Sequence, residues 1–217
     1  MRKRLGIRVG MAGVAALGIT VLAGCQNDEG GGTHDKPSRS ESGWDREAKP
    51  RTAYDTGGGT VPRFRVTLPE GVAVTDGGAP EDVRKDECYE PVWIASGDDR
   101  TSYFSWSAKP AGCEIDPSAN EKPINGTHPT YRTTADIPPA VARTARKVRT
   151  PLGPALAFTQ RYTVCTQRCD SFDEPFVVIT LDKPADSGSP TLVFTSVHAE
   201  LTLDELVDVV TKDVAPR

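Results

Sequence analysis

Alternating side chains constrain the fold of this chain more than any other feature of its sequence. Large apolar residues alternate with smaller or polar ones in short runs rich in β-branched and aromatic side chains, at Phe64–Leu68, Phe104–Trp106, Leu156–Tyr162 and Leu192–Phe194. A period of two is typical of β-strands that bury one face. The almost continuous apolar run Phe176–Leu181 predicts a more deeply buried strand. We therefore expect a mainly antiparallel sheet.

The C-terminus changes from a period of two to helical spacing. The apolar residues that recur at this spacing are Leu203, Leu206, Val207, Val210 and Val214. Thr202 and Glu205 form the Thr-x-x-Glu pattern of a capping box, which predicts where the helix begins. Such a helix must bury its apolar stripe against the sheet, and a second helix is expected from Pro138 to Lys147. The predicted fold class is α+β, a mainly antiparallel sheet packed by a C-terminal helix.

Both ends of this domain resemble PsbP-like domains, a fold shared by photosystem extrinsic proteins and some actinobacterial lipoproteins. Phe64–Gly71 resembles the opening strand and turn of that family, and Leu203–Val207 resembles its closing helix. The chain departs from the family pattern at Val72, where a tryptophan is expected, and in its additional cysteines. The resemblance implies a PsbP-like fold and a non-enzymatic accessory or binding role.

The N-terminus has the composition of an export signal. Positions 2, 3, 4 and 8 are basic without any acidic residue among them, and an apolar run follows from Val9 to Ala23. A charged start followed by an apolar stretch is typical of a signal peptide. The run is shorter than the roughly 20 apolar residues of a membrane-spanning helix, so a permanent transmembrane anchor is the less favoured alternative.

The sequence Leu22-Ala23-Gly24-Cys25 resembles the lipobox of bacterial lipoproteins. In that family the cysteine thiol receives diacylglycerol and the chain is cut before it, here between Gly24 and Cys25. The resemblance implies a signal peptide over residues 1–24 and lipid attachment at Cys25, on the extracytoplasmic face of the cell membrane. A diacylglyceryl group supplies two acyl chains, whereas one chain alone gives only marginal membrane binding.

Residues 25–60 are expected to be the lipidated cysteine followed by a disordered linker. Two glycine triplets, Gly30–Gly32 and Gly57–Gly59, bracket a polar stretch without helical or strand periodicity. Such a segment cannot bury enough apolar area to offset its ordering entropy. Trp44 and Tyr54 are interpreted as incidental to it. A single α+β globular domain is then expected over residues 61–217.

Four cysteines follow Cys25, at Cys88, Cys113, Cys165 and Cys169. An even number in an exported domain indicates two disulfides. Three pairings are open, and nearness in sequence favours Cys88 with Cys113 and Cys165 with Cys169. A zinc site is disfavoured because neither CxxC nor HxxxH spacing is present. No metal and no cofactor is expected.

The charge of the chain bears on its partners. The net charge is −4, and removal of residues 1–24, which carry four basic and no acidic residues, makes it −8. Nucleic acid is polyanionic and is not expected as a partner. One local cluster is basic, comprising Arg132, Arg143, Arg146, Lys147 and Arg149. A solvated helix face or loop is favoured for it over a patch that faces the membrane or an acidic partner.

No catalytic motif is present, since the chain lacks GxSxG, HExxH, a phosphate loop and a dinucleotide fingerprint. His128 and His198 are weak candidates for a general base. Asp170, Asp173 and Glu174 are interpreted as a solvated loop rather than a calcium site. No catalytic residue is assigned.

The favoured function is a lipid-anchored, non-enzymatic binding or accessory module of the cell envelope. Its partner, a protein or a small molecule, is not identified by the sequence. The aromatic residues that could line a binding site are Trp93, Tyr103, Trp106 and Tyr131, although core packing is the default for such residues. The alternative is a small exported enzyme of hydrolase type with scattered catalytic residues.

Overall fold

A computed structural model of the protein describes residues 44–48, 50–58, 61–77, 88–115, 117–121, 129–165, 167–186, 188–196 and 199–217. The predicted signal peptide, the predicted cleavage site between Gly24 and Cys25, and linker residues 26–43 lie outside the described residues. His34, His128 and His198 lie outside them as well.

Strands make up most of the described chain. They are β1 Arg51–Gly58, β2 Val61–Pro69, β3 Val72–Asp76, β4 Val92–Gly97, β5 Ser102–Ser107, β6 Arg146–Thr150, β7 Gly153–Cys165, β8 Cys169–Thr180, β9 Thr191–Thr195 and β10 Val214–Pro216. The helices are short: α1 Pro117–Glu121, α2 Pro139–Ala142 and α3 Leu203–Asp208. Thr134–Asp136 forms a 3₁₀ turn, and a π-helical turn at Val209–Asp213 continues α3.

These strands form two antiparallel sheets. The larger sheet has seven strands in the order β3-β4-β5-β9-β8-β7-β6, and the smaller has the order β1-β2-β10. The predicted fold class, a mainly antiparallel α+β domain with a C-terminal helix, is confirmed.

The main core lies between the two sheets. The ring centroid of Phe64 on β2 is 5.8 Å from that of Trp106 on β5 and 6.0 Å from that of Phe194 on β9. Leu206 on α3 and Val209 in the π-helical turn belong to the same core. The helix therefore packs its apolar residues against the sheet, as its spacing predicted.

A smaller core covers the opposite face of β7 and β8. Phe158 and Phe176 stack with ring centroids 5.7 Å apart, and Tyr131 meets both rings edge-on. Val177 and Ile179 of β8 face the main core, whereas Phe176 and Val178 face this second one. The apolar run from Phe176 is continuous because both faces of β8 are covered.

The predicted capping box is present at the start of α3. The backbone N–H of Glu205 donates to Thr202 Oγ1 at 3.4 Å, and Glu205 Oε2 accepts from the backbone N–H of Thr202 at 2.8 Å. Val214, predicted to lie on the helical stripe, is instead the first residue of β10 and pairs with Val66. This β-branched residue is buried in the smaller sheet, so helical spacing overestimated the length of the helix.

Part of the predicted linker belongs to the fold. β1 pairs with β2 from Arg51 to Thr56, and Trp44 is only 8% exposed. The Trp44 ring centroid lies 5.4 Å from that of Tyr103 and 5.7 Å from that of Phe104. The expected disorder is therefore wrong for these residues. β1 is an edge strand with mostly exposed side chains, so its polar composition resembles that of a linker.

Ion pairs fix this N-terminal segment to the C-terminus of the chain. Arg46 Nε lies 3.2 Å from Asp213 Oδ2, and Arg51 Nη2 lies 3.1 Å from Asp213 Oδ1. The Asp213 side chain is 6% exposed, so both arginines compensate a buried carboxylate. The folded domain therefore includes Trp44 and β1, which precede the predicted start at Val61.

The second predicted helix is mostly wrong. Only Pro139–Ala142 is helical in the range from Pro138 to Lys147, and Arg146–Thr150 forms the edge strand β6. Basic residues on an edge strand discourage association with a second sheet edge. The alternation of basic residues with Val148 therefore reflects an exposed strand rather than a helix face.

Candidate functional site

A polar cluster lies where the segment before β4 meets the end of β5. Glu90 precedes β4, and Ser107, the last residue of β5, lies opposite Val92 in the β4–β5 ladder. Ser107 Oγ donates a hydrogen bond to Glu90 Oε1 at 2.5 Å. The hydroxyl of Thr130 donates a second hydrogen bond to the Glu90 carboxyl. Lys109, two residues after Ser107, also lies near this carboxyl, so three chain segments meet at Glu90.

The surroundings of Glu90 raise the pKa of its carboxyl group. Burial is the main cause, because a carboxylate loses hydration there. The hydrogen bonds from Ser107 and Thr130 and the charge of Lys109 lower the pKa without cancelling the effect of burial. A buried carboxyl group with a raised pKa next to a hydroxyl is a candidate for proton transfer.

Asn120 on α1 positions Thr130 beside Glu90. Asn120 Nδ2 donates to the backbone oxygens of Thr130 at 2.8 Å and Asp136 at 3.2 Å. Its Oδ1 accepts from the backbone N–H of Thr130 at 2.9 Å. Asn120 is 1% exposed. A buried amide with both ends hydrogen-bonded fixes one arrangement of the loop.

Gln160 on β7 extends the cluster into the sheet. Its Nε2 donates to the backbone oxygen of Asn120, and its Oε1 accepts from the Tyr131 hydroxyl. Burial raises the pKa of Tyr131, so the hydroxyl keeps its proton and remains a donor. Glu174 lies directly opposite Gln160 in the β7–β8 ladder and is fully buried. The cluster thus includes two carboxyl groups, that of Glu90 and that of the fully buried Glu174.

The disulfide between Cys88 and Cys113 borders this cluster. Cys88 lies two residues before Glu90, and its Cα is 5.5 Å from that of Cys113. The second disulfide joins Cys165 to Cys169 across the end of the β7–β8 hairpin, with a Cα separation of 4.0 Å. These are the pairings that nearness in sequence favoured. Chain entropy assigns about 3.5 kcal/mol to the longer loop and about 2 kcal/mol to the shorter.

The aromatic residues proposed for an open binding site are mostly core residues. Tyr103, Trp106 and Tyr131 are each at most 1% exposed, and Trp93 is partly buried against the main core. Their function is therefore packing. The two histidines proposed as weak candidates for a general base, His128 and His198, lie outside the described residues.

The acidic residues predicted in a loop belong to strand β8. Asp170, Asp173 and Glu174 all lie within Cys169–Thr180. Asp173 is exposed and Glu174 is buried because neighbouring strand residues point to opposite faces. They are therefore neither a solvated loop nor a shared set of calcium ligands. Where the structure describes the chain, no three His, Cys, Asp or Glu side chains gather as a metal site.

The basic cluster is partly neutralised by ion pairs. Arg146 Nη1 lies 2.8 Å from Asp204 Oδ1, and Arg149 Nη2 lies 2.6 Å from Asp182 Oδ2. Arg132 is 3.6 Å from Asp136 and donates to the backbone oxygen of Cys113. These contacts reduce the positive charge that the cluster could offer to an acidic partner.

Sequence reasoning missed Glu90, Asn120 and Gln160. Gln160 did carry a signal, because it is a polar residue between Phe158 and Tyr162 on the apolar face of an alternating strand. A polar residue at such a position must find hydrogen-bond partners when it is buried. Glu90 and Asn120 lie outside any alternating run and gave no comparable signal.

Comparisons with known proteins do not assign the chain to a family. No family model, curated protein or solved structure matches the chain. Among the helices that the structure describes, none combines the length and apolarity needed to cross a membrane. The case for a function therefore depends on the residues themselves.

Replacing Glu90 with glutamine is expected to change how stability depends on pH. Because the carboxyl pKa is higher in the folded than in the unfolded state, the unfolded state loses this proton first. Wild-type stability should therefore fall as pH rises from the ordinary glutamate pKa, 4.5, through the folded value. Glu90→Gln should gain stability relative to wild type over that window.

Urea unfolding of both proteins at pH 4 and pH 8 measures this difference. At pH 4 the two free energies of unfolding should be similar, because the glutamate is protonated in both the folded and the unfolded state. Glu70→Gln, which changes an exposed glutamate, serves as the control. A difference between Glu90→Gln and wild type that is the same at both pH values would contradict the raised pKa.

Proposed function

We propose that this chain is a lipid-anchored, extracytoplasmic binding or accessory module of the cell envelope. Its cysteines give the strongest support. Of five cysteines, four form Cys88–Cys113 and Cys165–Cys169, and such bonds persist in oxidising compartments outside the cytoplasm. Cys25 is left out of both pairs. An odd cysteine in an exported protein needs an explanation, and lipid attachment at the end of Leu22–Cys25 provides one.

Binding is favoured over catalysis by the way the polar cluster is held. The Glu90 carboxyl accepts from two hydroxyls, and the Asn120 side chain fixes the loop that carries one of them. A group engaged in this way presents a preformed surface for a polar ligand. The PsbP-like resemblance points in the same direction. Two features are consistent with that resemblance. β2 is followed by a turn at Gly71 (φ 80°), and β9 is followed by the capped helix α3.

One observation favours the alternative, a small exported hydrolase. A carboxyl group with a raised pKa lies within hydrogen-bond distance of the Ser107 hydroxyl, which is an arrangement of base and nucleophile. A fluorophosphonate probe, which reacts with activated serines, distinguishes the two functions. Labelling at Ser107 that is lost in Glu90→Gln would support the hydrolase, whereas unlabelled Ser107 is the result expected of a binding module.

Substitution of Cys25 tests the proposed anchoring. Cys25→Ala should abolish incorporation of labelled fatty acid and leave uncleaved precursor, because both processing steps need that thiol. The measurement is acyl labelling in a bacterial host followed by mass determination. The double variant Cys165→Ala/Cys169→Ala is the matched control, since it removes two cysteines and should keep the label. Equal labelling of Cys25→Ala and wild type would overturn the anchor.

A further inference from the structure

We infer that Cys88–Cys113 is a site of thiol–disulfide exchange, whereas Cys165–Cys169 is a structural bond. The first observation is an asymmetry in exposure. Cys88 is exposed at the surface, whereas Cys113 is 4% exposed. Cys169 is exposed as well, so exposure decides which sulfur is attacked and does not by itself separate the two bonds. An incoming thiol therefore reaches the bond from the Cys88 side, and the buried Cys113 becomes the leaving group.

Two cationic side chains contact the backbone of the bonded cysteines, one at each residue. Lys109 Nζ donates to the backbone oxygen of Cys88 at 3.1 Å, and Arg132 Nη1 donates to that of Cys113 at 2.9 Å. A neighbouring cation favours the thiolate over the thiol. Because a leaving thiol of low pKa departs faster, both contacts promote cleavage of this disulfide. Lys109 also interacts with the Glu90 carboxylate, and Arg132 lies 3.6 Å from Asp136.

The second disulfide has a different setting. Cys165 and Cys169 are direct partners at the end of the β7–β8 ladder, so strand pairing keeps their thiols together after reduction. Cys88 and Cys113 lie outside the strands and helices, and no ladder holds them opposite each other. The reduced form is therefore less prone to close again at Cys88–Cys113.

The exchange needs a reductant, which we take to be a dithiol. One thiolate of the dithiol attacks Cys88 Sγ, the disulfide breaks, and the electron pair leaves on Cys113 beside Arg132. The second thiol of the dithiol then attacks the mixed disulfide and releases Cys88 as a thiolate beside Lys109. The dithiol becomes a disulfide and transfers two electrons. Its two protons pass to Cys88 and Cys113 or to solvent.

Reduction would act on the polar cluster. The bond ties the segment that carries Glu90 to the segment after β5 that carries Cys113. When it opens, the hydrogen bonds of Ser107 and Thr130 are left to hold Glu90 in place. The redox state of the compartment would therefore change how firmly the Glu90 segment is held.

Thiol trapping in defined dithiothreitol buffers tests the inference on the mature protein. After equilibration, free thiols are alkylated and the cysteine peptides are quantified by mass spectrometry. Cys88–Cys113 should be half reduced at a ratio of reduced to oxidised dithiothreitol about tenfold lower than Cys165–Cys169, which corresponds to about 30 mV. Brief exposure to glutathione should place the mixed disulfide on Cys88. Simultaneous reduction, or earlier reduction of Cys165–Cys169, would overturn the inference.

Variants of Arg132 test the role of its charge. Arg132→Met should slow reduction of Cys88–Cys113 about tenfold, and Arg132→Lys should restore most of the rate because it keeps the cation. Arg149→Met, which changes an arginine with a 67% exposed side chain, is the matched control and should leave the rate unchanged. Equal rates for wild type, Arg132→Met and Arg132→Lys would show that the cation has no role.

Discussion

Trp44→Ala should destabilise the domain by about 3–5 kcal/mol, the range for loss of a buried tryptophan from a core. Trp44 is 8% exposed and packs against Tyr103 and Phe104 of β5. Its removal would leave a cavity at the edge of the main core. The measurement is the free energy of unfolding in urea. A tryptophan in a disordered linker would have no effect on this free energy.

A second substitution at the same position separates packing from hydrogen bonding. Trp44 Nε1 is buried and has no hydrogen-bond partner among the described residues, so Trp44→Phe removes an unsatisfied donor along with some volume. Trp44→Phe should therefore retain most of the stability that Trp44→Ala loses. Glu47→Ala, whose side chain is 89% exposed, is the control, and its effect should stay within about 0.5 kcal/mol. Equal stability of Trp44→Ala and wild type would refute this account of the segment.

Asp213→Ala should cost about 3 kcal/mol of stability, since removing one partner of a buried ion pair leaves uncompensated charge. Two arginines, Arg46 and Arg51, approach this carboxylate within 3.2 Å and 3.1 Å, and their side chains are 19% and 22% exposed. Loss of Asp213 would also free the N-terminal segment from the end of the π-helical turn. Thermal and urea unfolding both report this loss.

The nearby Asp208 provides the matched control for Asp213. Its side chain is 40% exposed, and it forms ion pairs with Lys212 at 2.8 Å and Arg46 at 3.8 Å. Solvent screens such pairs, so Asp208→Ala should cost no more than about 1 kcal/mol. If Asp213→Ala costs no more than Asp208→Ala, the buried carboxylate does not fasten the segment to the C-terminus.

The elements that could be predicted from the sequence are those whose signal is local. β2 and β9 alternate with a period of two, and β8 has its continuous apolar run because two cores cover it. The start of α3 was predicted because a capping box depends on only two side chains, Thr202 and Glu205. Each of these patterns can be recognised within one short stretch of the sequence.

The elements that could not be predicted depend on distant partners. β1 has a polar composition and acquires its structure from pairing with β2. Trp44 is buried by residues of β5 that lie far along the chain. β6 is basic because it lies at a sheet edge, which no local pattern distinguishes from a solvated helix. For such segments, a polar composition indicates that the side chains are exposed, but it does not predict the secondary structure.

The candidate site was even less accessible to sequence reasoning. Its members, Glu90, Ser107, Asn120 and Gln160, come from separate segments and share no spacing. The strand order β5-β9-β8-β7 brings Ser107 and Gln160 into one sheet, and hydrogen bonds attach Glu90 to Ser107 and Asn120 to Gln160. The disulfide pairing, by contrast, could be anticipated, since each bond closes the shorter of the available loops.

The intact mass of the protein recovered from cell membranes tests the proposed anchoring most directly. The expected species begins at Cys25, carries a diacylglyceryl group on that residue, and has its other four cysteines oxidised. A chain that begins at Met1, recovered from the cytosol without lipid and with free thiols at Cys88, Cys113, Cys165 and Cys169, would contradict the proposal.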